Sequence, residues 1–472
     1  MKKITLSLLI SLPLIGGVVA TLALTPFHPK RDDQVQVVLS ADVMAQSGRP
    51  FQAWSGLQDE FNQTLTDKKL PKIRIFWDNK DILTKTISNY QLPDLYLTKP
   101  SNLPIYNASS QRKNMRSFSD YAHYYNPNLL AEYEFGSEQK LLGLPLYKSF
   151  DCGVINVKRL KELGFDWDTK KLNSLSYQDL DEIIKKGQEL EIDKKDPLIG
   201  FDDLPNQLYL SQNNNSKAVG TTDNPNFTFS YRTTDKYQNY DLRYNINPQI
   251  ATYFESWKKS GLFTTSMIKG GVKTYTSNEF LKGKMVYTAS SSAGLFAFQK
   301  NTTYDYKTDL AIVKNASLNG GDNLYYSQGI GIGGFKSVGK NYQEKEATVK
   351  LFMDWLLGNP LTLSTLASNA NYLPATIDGN TYFNDSTHLK PGTKYPFATD
   401  LYKAFYDQDP LNNSTFQIMN PADYIVRNTL SNIWINIYWT SDKLTFTDVF
   451  CFSNYKKYTN FGDLFNRSKV VK

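Results

Sequence analysis

Ser290, Ser291 and Ser292 stand in the run Phe280–Phe298, FLKGKMVYTASSSAGLFAF. Just before them, Ser277 is placed to cap a short helix over SNEFL, and Gly283 to end it. Met285–Thr288 follows as a short buried strand, and Ala293–Gln299 turns helical. The three hydroxyls therefore fall where a strand gives way to a helix. Free backbone N–H groups at such a place receive polar or anionic ligand groups. The same residues also suit a serine-rich cap and turn, which is the structural alternative.

Other residue types narrow the chemistry. The chain has 3 histidines (His28, His123, His388) and 2 cysteines (Cys152, Cys451), with no CxxC. A His-dependent triad or a His-rich zinc site is poorly supplied, no cofactor is implied, and a single disulfide stays open. There is no GxxxxGK[ST] loop for a nucleoside triphosphate. Asp202 and Asp203 are adjacent, whereas a glycoside hydrolase needs two carboxylates facing across a cleft. Ser256 and Lys259 form an SxxK pattern inside a helix rather than at its start. The net charge of +7 comes from short, scattered lysine runs, so no nucleic-acid-binding stripe forms. Aromatics reach 14%, in keeping with a composition also rich in Lys and Asn.

The elements that must position these residues belong to a large globular chain of 472 residues, 40% hydrophobic and 21% charged. Lys2 and Lys3 precede an apolar run of about 21 residues, long enough to span a bilayer. It reads as an export signal retained as an N-terminal membrane anchor, with a cleaved signal peptide as the alternative. Pro26–Gln34 is a polar stem. Strands over Val35–Ser40, Ile73–Trp77 and Asp94–Leu97 alternate with helices over Pro50–Leu65 and Asp81–Tyr90. That order predicts an α/β, doubly wound parallel sheet, with ligands beyond the C-terminal strand ends. Thr98, Ser101 and Asn102 lie just past the third strand and are candidates for the cleft. Further on, Leu142–Leu146 and Cys152–Asn156 read as two short strands flanking Tyr147–Asp151. Ser176–Asp179 opens a capped helix, Asp202–Tyr244 reads as irregular rim, and Asn247-Pro248 starts a helix to Ser260.

The segment LPLYKSFDCGVINVKRLKELGFD resembles the lobe-crossing segment of family 1 extracellular solute-binding proteins of ABC importers. FLKGKMVYTASSSAG, YYSQGIGIGG (Tyr325–Gly334), EKEATVKLFMDWLL, ANYLPAT and Tyr424–Ile437 resemble later segments of that family, in the same order. YTASSSAGLFAF is similar to a stretch of glycerol-3-phosphate-binding proteins. The resemblance implies a type II two-lobed fold with parallel-dominated sheets, helices on both faces and several hinge crossings. Residues 35–147 with about 331–395 would form lobe 1, and 148–330 with about 396–472 lobe 2. It implies ligand roles for Ser149, Ser290, Ser291, Ser292, Gln328, Gly329 and Tyr372, facing Thr98. The sequence departs from the phosphate binders in two places. Asp423 stands where they carry an Arg, with Arg427 one turn later as a substitute, and Phe201–Leu208 holds no Trp. Stacking on a ligand would then fall to Tyr372 or Tyr147.

The implied function is the extracellular binding component of an ABC importer. It would take a polyol phosphate, a glycerophosphodiester or a sugar by hinge closure and present it to membrane permease subunits. A separate cytoplasmic ATPase would supply the energy. The alternatives are a surface adhesin or interaction module on the same fold, and a surface glycoside hydrolase.

Overall fold

The computed structural model describes residues 34–450 apart from internal segments, the longest being 79–91, 208–217, 220–228, 386–403 and 418–433. The N-terminal apolar run, the helix expected over Asp81–Tyr90, Arg427 with most of the late helix, and Cys451 lie outside the described residues. Among the described residues no helix is long and apolar enough to cross a membrane.

Val35–Ser40 is buried at every position and pairs in parallel with Ile73–Asp78 on one side and Leu95–Thr98 on the other. Val and Leu at four of its six positions suit a strand covered on both faces. Arg49–Thr64 is the helix that covers it, with Pro50 in its first turn and Trp54, Leu57 and Phe61 buried along one stripe. Phe61 meets Phe352 of the helix Tyr342–Leu357 edge-on at 5.1 Å.

A second parallel set runs Phe263–Thr265, Ile199–Phe201 and Tyr287–Ser291. The capping box at Ser176–Asp179 starts the helix Tyr177–Glu189, as the sequence predicts. The helix Pro248–Ser260 buries Phe254 and Trp257. These two rings pack with Phe201, Phe263 and Trp434, with centroids 5.2–6.3 Å apart. Two antiparallel strands, Gly143–Asn156 and Tyr325–Gly334, join the two parallel sets into one continuous sheet.

Three expectations change. The two short strands around Tyr147–Asp151 are one 14-residue strand, buried throughout. The polar stretch belongs to it because Tyr326–Ile330 pairs with one edge and Leu373–Pro374 or Ser291 with the other, so its backbone groups are satisfied. The stretch Asp202–Tyr244 contains an antiparallel hairpin, Phe229–Thr233 with Tyr240–Tyr244. The alternation Tyr240-Asp-Leu-Arg-Tyr244 is the period-two signal for it. Finally, the strand after Gly283 runs Tyr287–Ser291, two residues later than expected, so it carries Ser290 and Ser291 itself.

Both long strands change hydrophobic core at the same level. Tyr147 and Ile330 pack in the core built on Val35–Ser40, whereas Phe150, Tyr325 and Tyr326 pack in the cores of the other set. Between them lie Lys148 and Ser149, opposite Gly329 and Gln328. Leu373–Pro374 makes a third crossing beside Lys148 and Tyr147. Gly329 is required here. A Cβ on it would stand 2.4 Å from the Tyr147 carbonyl oxygen and 3.0 Å from the Lys148 Cα. Gly329→Ala is expected to destabilise the protein by about 1–3 kcal/mol, read as a lower urea midpoint at constant slope. An unchanged midpoint would show that the paired strands part without strain.

Candidate functional site

The polar seam at the crossings is built around two carboxylates. Asp151, on the first crossing strand, accepts hydrogen bonds from Gln328 Nε2 on the second and from Asn206 Nδ2. Its backbone carbonyl accepts from Asn315 Nδ2 at 2.6 Å. Asp202 follows Ile199–Phe201. Its Oδ1 accepts from the Thr276 backbone N–H at 2.6 Å and the Thr276 hydroxyl at 2.8 Å, and its Oδ2 from the Ser290 hydroxyl at 2.9 Å. Asp202 thereby caps the helix Thr276–Phe280, so Ser277 lies within that helix and does not cap it. A carboxylate is a stronger acceptor for the N–H groups of a first turn than a hydroxyl, and burial of Thr276 keeps water from competing.

The three serines take different roles. Ser290 is tied to Asp202, and Ser292 Oγ accepts from the Phe150 backbone N–H at 3.0 Å. Both are buried. Ser291 is half-buried, faces Asp151 in the sheet, and caps the turn Ser292–Gly294 through the Ala293 N–H. Of the three, only Ser291 acts as a cap.

Ser149 and Gln328 are sheet partners, and Gly329 is the next pair along. Ser149 lies beside the Tyr372 phenol and acts to lower its pKa. Tyr372 follows Asn371, whose left-handed conformation (φ 61°) ends the helix Pro360–Ala370 and turns the chain into the third crossing. Burial raises the Tyr372 pKa and outweighs the opposing effect of Ser149, so the phenol stays protonated and can donate. Behind it the Tyr147 ring lies at 5.5 Å, and the Tyr147 hydroxyl accepts from Trp54 Nε1 at 3.3 Å. Tyr147 is fully buried and serves as backing, while Tyr372 is half-buried.

Thr98 is placed differently from the rest. It is fully buried at the end of its strand, paired with Gly331, and its hydroxyl donates to the Lys99 carbonyl. Arg427 lies outside the described residues. Sequence reasoning missed Asp151, Asn206, Asn315 and Tyr275. Asp151 lies within the crossing segment and could have been taken from it. Tyr275 gave no local signal. It is 48% exposed, precedes the Asp202-capped helix, and is near enough to Tyr372 to act on it electrostatically.

The charged groups here are committed to structure. Asp151 and Asp202 accept from protein donors, and the Lys148 ammonium is buried against Glu132 at 2.7–2.8 Å. The Tyr372 phenol beside Ser149 is kept protonated by burial and is no general base. Cys152 is a buried free thiol whose pKa burial raises, the reverse of what activates a nucleophile. Among the described residues no group of three His, Cys, Asp or Glu side chains is placed to hold a metal ion. What the seam can do is exchange hydrogen bonds with a polar ligand, with aromatic faces beside it.

Solved structures of similar architecture cover 93% of the chain. UgpB from Mycobacterium tuberculosis, in complex with glycerophosphocholine, aligns over 98% of its own length at 15% identity and a TM-score of 0.60. An ABC substrate-binding protein from Listeria monocytogenes in complex with cycloalternan aligns over 99% at 13% identity and a TM-score of 0.58. The fold is that of the two-lobed solute-binding proteins. The GacH receptor of Streptomyces glaucescens, solved unliganded and with acarbose, aligns over 99% of its length at 12% identity and a TM-score of 0.56. No family model and no curated protein matches this chain in sequence. The seam of Ser149, Asp151 and Gln328 lies at the level where both long strands change hydrophobic core.

Proposed function

We propose that the protein is the extracellular binding component of an ABC importer and holds a neutral polyhydroxyl ligand, a sugar or oligosaccharide, between its lobes without turning it over. The observation that carries this is the coincidence of the polar seam with the level at which both crossing strands change core. A ligand bound there touches both lobes, and contacts to both favour the closed state. Residues 35–147 with about 331–395 form the first lobe in this reading, and 148–330 with about 396–472 the second. Ser149, Ser291, Gln328 and Tyr372 are the hydrogen-bonding groups. Tyr372 from one lobe and Tyr275 from the other are the aromatic faces.

The charge pattern favours a sugar over a phosphate. The described carboxylates at the seam include Asp151 and Asp202, and the lysine of the first crossing strand, Lys148, is already neutralised by Glu132. An anionic phosphate would meet negative charge in a site of reduced dielectric. The fold also supports export, with the protein on the outer face of the cytoplasmic membrane and a permease reading the closed form. The ATPase is a separate chain.

The test is thermal unfolding of the purified protein with maltose, mannobiose, maltotriose, glycerophosphocholine or glycerol-3-phosphate. A neutral saccharide is expected to raise the midpoint, by an amount equivalent to about 2.7 kcal/mol at a concentration 100 times its Kd. Its chromatographic peak should be unchanged after prolonged incubation. Ser149→Ala and Tyr372→Ala should each weaken binding about tenfold while the midpoint without ligand stays within about 1 kcal/mol of the parent. A rise with the phosphates alone would overturn the charge argument. No rise with any compound would point to an interaction module, and consumption of a saccharide to a hydrolase.

A further inference from the structure

Lys148 is the residue at which the first crossing strand leaves the core of the first lobe. Its side chain is 0% exposed and its ammonium donates to both carboxylate oxygens of Glu132, itself 2% exposed, at 2.8 and 2.7 Å. Glu132 lies on the turn Ala131–Tyr133, whose Tyr133 packs in the first-lobe core. Glu132 Oε1 also accepts from the hydroxyl of Ser327 at 2.8 Å. Ser327 lies on the second crossing strand, one residue after Tyr326 of the second-lobe core and opposite Phe150. One buried carboxylate thus holds both crossing strands at the level where they pass between lobes.

Stability alone does not account for this arrangement. Two charges taken out of water recover little net free energy, and apolar residues of similar volume do as well or better. What an ion pair adds is direction. The ammonium and the hydroxyl must both point at one carboxylate, whereas an apolar contact tolerates sliding and tilting. Beside it the strand pairing is already irregular, with a register shift at Ile330/Gly331. Gly329 also lacks a side chain that could stiffen the contact with Lys148.

We propose that Lys148, Glu132 and Ser327 are the pivot that sets the angle between the lobes, acting as positioning residues for Ser149 and Gln328. The proposal rests on the two-lobed, hinge-closing reading of the protein, but it names a property that can be measured with no ligand present.

The experiment is a pulsed dipolar distance measurement on the ligand-free protein. Nitroxides are attached at Lys350→Cys, 69% exposed on the first lobe, and Lys282→Cys, 62% exposed on the second. Cys451→Ser removes the competing thiol, and buried Cys152 does not react. The double variant Glu132→Leu/Lys148→Met, which keeps the volume and removes both charges, is expected to fold and to show an interlobe distance distribution about twice as broad as the parent. Ser327→Ala releases only the second strand and should broaden it to a smaller extent. A folded double variant with the parent's distribution overturns the proposal. If the double variant does not fold, an unchanged distribution in Ser327→Ala overturns it instead. Because no ligand is used, failure of every saccharide to bind leaves this outcome unaffected, and an unchanged distribution leaves the saccharide result standing.

Discussion

Glu132→Leu alone is expected to destabilise the protein by about 3–5 kcal/mol, the usual effect of leaving one partner of a buried ion pair uncompensated. Lys148 is fully buried in a sheet, so water cannot reach its ammonium without parting the crossing strands. The Ser327 hydroxyl loses its acceptor as well. Adding Lys148→Met should restore most of that loss, to within about 2 kcal/mol of the parent, because no charge then remains in the interior. Urea unfolding of the parent, both single variants and the double variant completes the cycle. Equal destabilisation of the double and the single variants would mean that the site cannot accept apolar side chains and that the ion pair fills a shape nothing else fits. A single variant as stable as the parent would mean that the ammonium finds water.

Asp202→Ala is expected to have the second largest effect, because one carboxylate accepts from three donors. The Thr276 N–H, the Thr276 hydroxyl and the Ser290 hydroxyl all lose their acceptor. Thr276 and Ser290 are buried, so the loss should amount to about 2–4 kcal/mol of stability. Saccharide affinity should fall as well, by about tenfold or more, because the helix start that carries Tyr275 and the strand end that carries Ser290 are both freed. Asp202→Asn keeps one acceptor oxygen and should fall between the two. Calorimetric titration with whichever saccharide raises the unfolding midpoint gives the affinities. If Asp202→Ala lowers stability but binds as tightly as the parent, the carboxylate supports the fold without shaping the site. If neither changes, the Thr276 and Ser290 donors have other partners. The Thr276–Thr288 hydroxyl contact at 2.7 Å is the first place to look for one.

The two predictions bear on different parts of one design. Glu132 ties the two crossing strands together through Lys148 and Ser327, whereas Asp202 ties Thr276 to Ser290.

Local sequence determined a large part of this protein. Val35–Ser40, the stripe Trp54–Leu57–Phe61, the Ser176–Asp179 box and the Pro248–Ser260 helix are legible because each depends on neighbours within one or two turns or on a continuous apolar run. The order of degenerate segments from LPLYKSFD to ANYLPAT carried the two-lobed architecture. Tertiary structure decided what those residues do. Ser277 has the right type for a helix cap, but Asp202 takes the place because a distant strand end brings a carboxylate to the Thr276 N–H. The polar run Tyr147–Asp151 looked like a connection between strands. It is the middle of one strand because partners far along the chain satisfy its backbone. Glu132 and Tyr275 carry no local mark. The role of Glu132 comes from what lies opposite, Lys148 and Ser327. The three serines joined both kinds of information. Their type and spacing announced a strand end with spare hydroxyls, and only the packing showed that Ser290 and Ser292 are held by Asp202 and Phe150 while Ser291 caps the turn Ser292–Gly294. Short-range geometry is written in residue spacing, whereas the partner of a buried charge or hydroxyl is set by chain crossings that spacing does not encode.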